Sequence, residues 1–176
     1  EIDEGLVGSE MCIRDSISEV FTSLQGEALT SGSPTTFIRL TGCPLRCVYC
    51  DSAYAFKGGE QRSIPDLVSL SEASRTNLVC VTGGEPLAQP NCLSLLTSLC
   101  DAGFEVSLET SGAIDISAVD PRVSIVLDLK TPGSRESSKN LLSNLQWIRE
   151  KDQVKVVVID EDDFRWFELL LSLIHI

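Results

Sequence analysis

Histidine and methionine are almost missing from this 176-residue chain, which has one of each, the histidine at position 175. Positive charge is scarce as well: 14 Lys and Arg stand against 26 Asp and Glu, for a formal net charge of −12. That imbalance repels phosphate backbones and excludes a sequence-independent grip on nucleic acid. No run approaches the roughly 18 consecutive apolar residues that a membrane-spanning helix needs. The acidic N-terminus also lacks the basic and apolar regions of a secretory signal. From these absences we expect a soluble, cytoplasmic protein without a membrane or nucleic-acid partner. There is no internal repeat, low-complexity tract or linker that would divide the chain, and 43% hydrophobic residues suffice for one core. Cysteine, by contrast, is plentiful. Seven is an odd number in a chain too large to need staples, which favours metal or catalytic use over a disulfide framework.

Both ends stand apart from the rest. Residues 171–176 (LSLIHI) back-translate to the end of a transposon-based sequencing adapter, and residues 5–16 (GLVGSEMCIRDS) to the same adapter in the opposite orientation. The expected organisation is an adapter-derived leader over 1–16, one domain over 17–170, and an adapter-derived tail over 171–176. Cys12 and His175 then carry no chemistry. Without the five acids and one base of the first fifteen residues, the net charge becomes −8.

Between these ends, short apolar runs at 17–24, 35–41, 78–82, 104–108, 123–129 and 154–159 read as strands. Helical patterns lie between them. Cys92, Leu95, Leu96, Leu99 and Cys100 follow helical spacing, opened by Pro90-Asn91 and closed by Gly103. A second pattern near 139–150 puts Leu141, Leu142, Leu145 and Ile148 on one face. Continuous apolar strands alternating with helices predict an α/β fold with a parallel sheet, open or curled toward a barrel. In such sheets chemistry gathers at the strand C-termini. The segments TGCPLRCVYCDS, TGGEP, ETSG and DLKTPGS each follow a predicted strand.

Cys43, Cys47 and Cys50 form CxxxCxxC in the first of these loops. Zinc would want a fourth ligand, and only Cys80, Cys92 and Cys100 remain; those read as small core hydrophobes. A thiolate-held iron–sulfur cluster is the favoured alternative, with one iron left open.

With Tyr49 just before its last cysteine, this motif resembles that of the radical S-adenosylmethionine (SAM) superfamily, and TGGEP resembles that superfamily's glycine-rich motif. SLQGE, FIRLTGCPLRCVYCDSAYAF, VTGGEPLAQ, ETSGA and DLKTPGS together resemble the 7-carboxy-7-deazaguanine synthase family, over about residues 17–159. The resemblance implies an incomplete (β/α) barrel closed partly by a homodimer partner, its last strand lost with the missing C-terminus. The natural parent is then expected to be active and this shortened chain inactive.

In that family a reduced 4Fe–4S cluster cleaves SAM to a 5′-deoxyadenosyl radical. The radical takes hydrogen from C6 of 6-carboxy-5,6,7,8-tetrahydropterin, and the ring contracts with loss of ammonia on the route to queuosine and other 7-deazapurines. The resemblance gives Cys43, Cys47 and Cys50 to the cluster, with flavodoxin or ferredoxin as electron donor. It assigns SAM to Tyr49, Cys50, Asp51, Gly84, Glu85 (accepting from the amino group), Asp128, Leu129 and Lys130. Leu24, Gln25, Gly26 and Thr82 would contact the pterin, and Arg39 its carboxylate. Ser52 stands where the family usually has a threonine that ligates Mg²⁺, and Ala28 where it usually has glycine after QGE. Hydroxyls of residues 109–112 would reach ribose or serve the turn, and Lys155 is expected to point outward. Two alternatives stay open: another small radical SAM enzyme such as a glycyl-radical activase, or a non-catalytic iron–sulfur or zinc module.

Overall fold

A computed structural model describes residues 14–173. Seven strands form one sheet: β1 (Arg14–Leu24), β2 (Pro34–Leu40), β3 (Glu60–Ser63), β4 (Leu78–Gly83), β5 (Glu105–Thr110), β6 (Ser124–Leu129) and β7 (Gln153–Val156). Their spatial order is β3-β1-β2-β4-β5-β6-β7, so β3 and β7 are the edges of an open, curled sheet. From β2 through β7 the neighbours pair in parallel. At the other side β1 runs antiparallel to both β2 and β3. The sheet is therefore mostly, not wholly, parallel.

The strands buried on both faces are those with unbroken apolar runs. In β2, the residues from Thr35 to Ile38 are all buried, as are those of β4 from Val79 onward. Helix α1 (Ile64–Ala73) starts at a capping box in which the Ser63 hydroxyl accepts from the Asp66 N–H and the Asp66 carboxylate accepts from the Ser63 N–H. Helix α2 (Cys92–Asp101) buries the five residues that its periodicity singles out. Leu95, Leu96 and Leu99 are fully enclosed against the sheet; truncating any one to Ala would cost about 2–5 kcal/mol. Helix α3 (Glu161–Leu173) docks through Leu170, with Trp166 and Phe167 against the same core.

One expectation about the fold needs correction. The pattern at 139–150 is not an α-helix but two short 3-10 segments, Ser137–Lys139 and Leu142–Trp147. The cause is Asn144, fully buried, whose side chain accepts from the Ile116 N–H and donates to the carbonyls of Gly112 and Ile114. The Gly112 carbonyl also accepts from the Leu141 N–H at 2.9 Å, so tertiary hydrogen bonding to this loop overrides local periodicity. The boundary expected at Ile17 falls inside β1: Asp15 is buried and accepts from the Asn91 side chain at 2.9 Å, while residues 14–16 pair with β3. The boundary expected at position 171 likewise falls inside α3. Cys12 and His175 lie outside the described residues.

Candidate active site

All the motif loops leave the C-terminal ends of β2, β4, β5 and β6, and because these strands are parallel the loops meet at one rim. They enclose a cleft of about 620 Å³. Every residue anticipated for the site lines it except Glu85 and Leu129.

The cysteine loop is held by its backbone. Gly42 adopts φ +98, a left-handed conformation that suits glycine; its N–H donates to the Ala55 carbonyl and its carbonyl accepts from the Glu85 N–H, both at 2.8 Å. Gly84 lies so close that a Cβ there would sit 2.4 Å from the Gly42 oxygen and 2.6 Å from Cys43 Cβ. The glycine pair of TGGEP thus serves close approach of two loops as well as an open cradle. From the far side, Glu136 accepts from the Arg46 N–H at 2.6 Å, and the Ser134 carbonyl accepts from the Val48 N–H. Arg46 closes the loop over itself, bonding the Cys43 carbonyl and stacking on Phe56.

Cys43, Cys47 and Cys50 are free thiols, each partly exposed into the cleft. Burial pushes the Cys43 and Cys47 thiols above the ordinary range, offset only partly by the Leu45 N–H at Cys43 and the Lys130 charge near Cys47. Metal binding must therefore displace protons. Among the described residues no group of three His, Cys, Asp or Glu is drawn together closely enough to hold a single metal ion. All three thiols line the same cleft, and a set of thiolates without histidine suits an iron–sulfur cluster.

On the opposite wall, Gln25 is 4% exposed and donates to Glu109 at 3.3 Å, while the Thr82 hydroxyl donates to the other Glu109 oxygen at 2.9 Å. Glu109 is thus a central carboxylate of the cleft, a role hidden in the sequence because ETSG reads equally well as a turn. Arg39 faces the cleft but is engaged: Glu19 accepts from its Nε at 2.7 Å, and the guanidinium lies 5.9 Å from the centres of both the Phe21 and Tyr54 rings. The Tyr54 hydroxyl bond, together with Arg39, holds the Glu19 carboxyl below its usual range. Ser52 donates to the Asp51 carboxylate at 2.9 Å. Lys130 pairs with Asp128 at 3.0 Å; burial pulls its pKa down, but that carboxylate outweighs burial and keeps it raised.

Glu85 departs from its anticipated role. It is completely buried, and its carboxylate accepts from Thr110 Oγ1 at 2.9 Å, the Ser111 N–H at 2.7 Å, the Ser111 hydroxyl and the Leu87 N–H. With its lone pairs used inside the protein it ties the β4 loop to the end of β5 and does not face the cleft. Leu129 is likewise sealed in the core, as strand alternation dictates when Asp128 and Lys130 face the cleft. Lys155, expected to point outward, instead enters the cleft and contacts the Glu27 carboxylate. Ala28 sits at φ +64, the left-handed region, where glycine would be unstrained.

An open, mostly parallel sheet with three convergent thiols and a glycine cradle at its C-terminal rim defines a radical SAM protein, and the Radical SAM superfamily matches residues 37–121. Among curated relatives, the 7-carboxy-7-deazaguanine synthase of Methanospirillum hungatei is 43% identical over 157 residues, covering 88% of this chain and 66% of its own length. Those of Thermoplasma acidophilum and Chlorobaculum tepidum are 36% and 40% identical, with 71% and 70% of their lengths covered. The crystal structure of QueE from Escherichia coli superposes with a TM-score of 0.78 at 26% identity, over 93% of this chain and 80% of that one. Archaeal TYW1, at 14% identity and a TM-score of 0.57, shares the fold. The chain belongs to the 7-carboxy-7-deazaguanine synthase family, radical SAM lyases that use a 4Fe–4S cluster and SAM. It spans about two thirds of the length of the relatives it matches.

Proposed function

We propose that the cleft converts 6-carboxy-5,6,7,8-tetrahydropterin to 7-carboxy-7-deazaguanine with loss of ammonia, a step toward queuosine. The observation that carries this reading is the convergence, in one cleft, of three free thiols, the Gly84 cradle and the Gln25–Glu109–Thr82 hydrogen-bonded wall. Cys43, Cys47 and Cys50 hold the cluster. Tyr49, Cys50, Asp51, Gly84, Asp128 and Lys130 bind SAM, with Leu129 contributing only backbone. When bound, the cluster and SAM supply hydrogen-atom abstraction, the hard chemistry of the reaction.

The chain's own residues position and shield. Gln25, Gly26 and Leu24 border the pterin edge, where an amide and a carboxylate (Glu109) match a ring that both donates and accepts. Arg39 offers its terminal nitrogens to the substrate carboxylate, since Glu19 engages only Nε. Ser52, with Asp51, is the place for Mg²⁺, its hydroxyl preserving a hard oxygen donor. Electron delivery by a flavodoxin or ferredoxin, a homodimer, a cytoplasmic setting, and foreign segments outside about 17–170 complete the proposal. No helix among the described residues is long and apolar enough to cross a membrane.

The test, made in a full-length homologue that carries these residues, is reconstitution of the cluster, reduction with dithionite, and addition of SAM with or without the carboxy-tetrahydropterin. Ammonia and a deazaguanine chromophore should appear only with the pterin. Formation of 5′-deoxyadenosine without either product would overturn the substrate assignment.

A further inference from the structure

The turn joining β1 to β2 carries Gln25 and Gly26 at one end and closes on itself. The Gln25 N–H donates to the Ser33 carbonyl at 2.9 Å and the Gly32 N–H to the Gln25 carbonyl at 2.7 Å. The Glu27 N–H donates to the Gln25 side-chain carbonyl at 3.2 Å. Inside this turn Ala28 is held at φ +64, a conformation that persists in a side-chain-bearing residue when surrounding contacts over-determine it. One such contact spans the cleft. Lys155, on the edge strand β7, meets the Glu27 carboxylate across a sequence separation of 128 residues. The same ammonium lies 3.6 Å from Asp128 Oδ2, its register neighbour on β6, and Asp128 in turn pairs with Lys130. Burial lowers the Lys155 pKa, but the Glu27 bond and the Asp128 charge more than offset it, so the lysine stays charged. Three strands, β4, β5 and β6, separate β2 from β7.

We infer that Lys155 is a positioning residue: a latch that ties the Gln25–Gly26 turn on one wall of the cleft to Asp128 on the other. The inference deepens the proposed function and rests on it for the naming of the walls. Movement of the turn away from the cleft breaks the Lys155–Glu27 contact. Lys155 therefore sets how readily the turn opens and how firmly Gln25 is presented to a substrate.

Amide hydrogen exchange on the ligand-free chain tests the latch without any cofactor. In Lys155→Met the hydrogen-bonded amides of Gln25, Glu27, Gly32 and Ser33 should exchange roughly tenfold faster, the scale of coupling expected of contacting residues, while those of β4 and α2 stay unchanged. Glu27→Gln should do the same, the double variant should go no further than either single one, and Lys155→Arg should restore protection. Unchanged turn exchange in Lys155→Met, additive effects in the double variant, or acceleration throughout the sheet would each overturn the latch. Loss of protection as expected, together with a reconstituted full-length homologue that does not turn over the carboxy-tetrahydropterin, would leave the latch standing and overturn the substrate reading instead. With turnover present, Lys155→Met should raise KM for the pterin more than it lowers kcat; the reverse split would place the lysine in the chemistry and overturn its role as a positioning residue.

Discussion

The rim and the interior of this protein use the same residue types for opposite ends. Cys43, Cys47 and Cys50 sit on a backbone-braced loop, partly exposed into the cleft, whereas Cys80, Cys92 and Cys100 are buried in β4 and α2 as small apolar groups. Burial raises the Cys80 and Cys92 thiols far above the ordinary range, so they remain neutral and inert. Two glutamates divide in the same way. Glu109 faces the cleft with bonds from Gln25 and Thr82, while Glu85, one loop away, is sealed and accepts from Thr110, Ser111 and Leu87. The difference teaches that chemistry here belongs to location at the parallel strand ends and not to residue identity. Glu85, though sealed, braces the loop that carries the open groups.

Four experiments probe that division, in order of decreasing effect. Replacing Cys43, Cys47 or Cys50 with Ala should bring bound iron in reconstituted protein well below wild type and 5′-deoxyadenosine formation to background, whereas Cys92→Ala should leave both intact and cost only about 1 kcal/mol of urea stability. Equal iron loss in Cys92→Ala would erase the contrast. Glu85→Ala leaves the Thr110 and Ser111 donors buried without their acceptor and should cost about 3 kcal/mol in urea unfolding, with iron retention falling as the loop loses its brace.

Asp163 supports the rim from α3. It accepts from the Gly133 N–H at 2.7 Å, Thr131 Oγ1 at 2.9 Å and the Ile159 N–H, in the segment whose Ser134 and Glu136 hold the cysteine loop. Burial pushes its carboxyl pKa up, but those hydrogen bonds outweigh it and lower it overall. A depressed folded-state value means that its contribution is present above the unfolded value near 4 and is lost as pH falls through the folded one. Asp163→Asn should cost about 2 kcal/mol at neutral pH and flatten the acid limb of the stability profile; an unaltered limb would mean that other carboxylates govern it. Smallest is Ala28→Gly, which relieves the left-handed backbone and should gain about 1 kcal/mol. A loss there would show that the turn tolerates Ala without strain.

Much of this was legible in the chain itself. The six expected strands and α2 appear because buried strands and an amphipathic helix leave periodic apolar signatures. Strand β3, with its pattern EQRS, left none, since an edge strand facing solvent needs no apolar run. The 3-10 segments around Asn144 escaped because their cause is a set of carbonyls and an N–H about thirty residues away. The motif glycines and cysteines pointed to the site. Lys155 and Glu27 did not, because nothing local says that a lysine on the last described strand of the sheet will meet the first turn.

By itself the sequence determined the alternation of strands and helices, the loops that carry thiols and glycines, and the family, because local spacing and residue chemistry specify those. Tertiary structure alone decided which carboxylates face the cleft and which are sealed, that Arg39 is shared with Glu19, and that β7 reaches back to the first turn. Those outcomes depend on curling the sheet, which brings together side chains separated by a hundred residues, and on the desolvation that then forces every enclosed charge to find a partner.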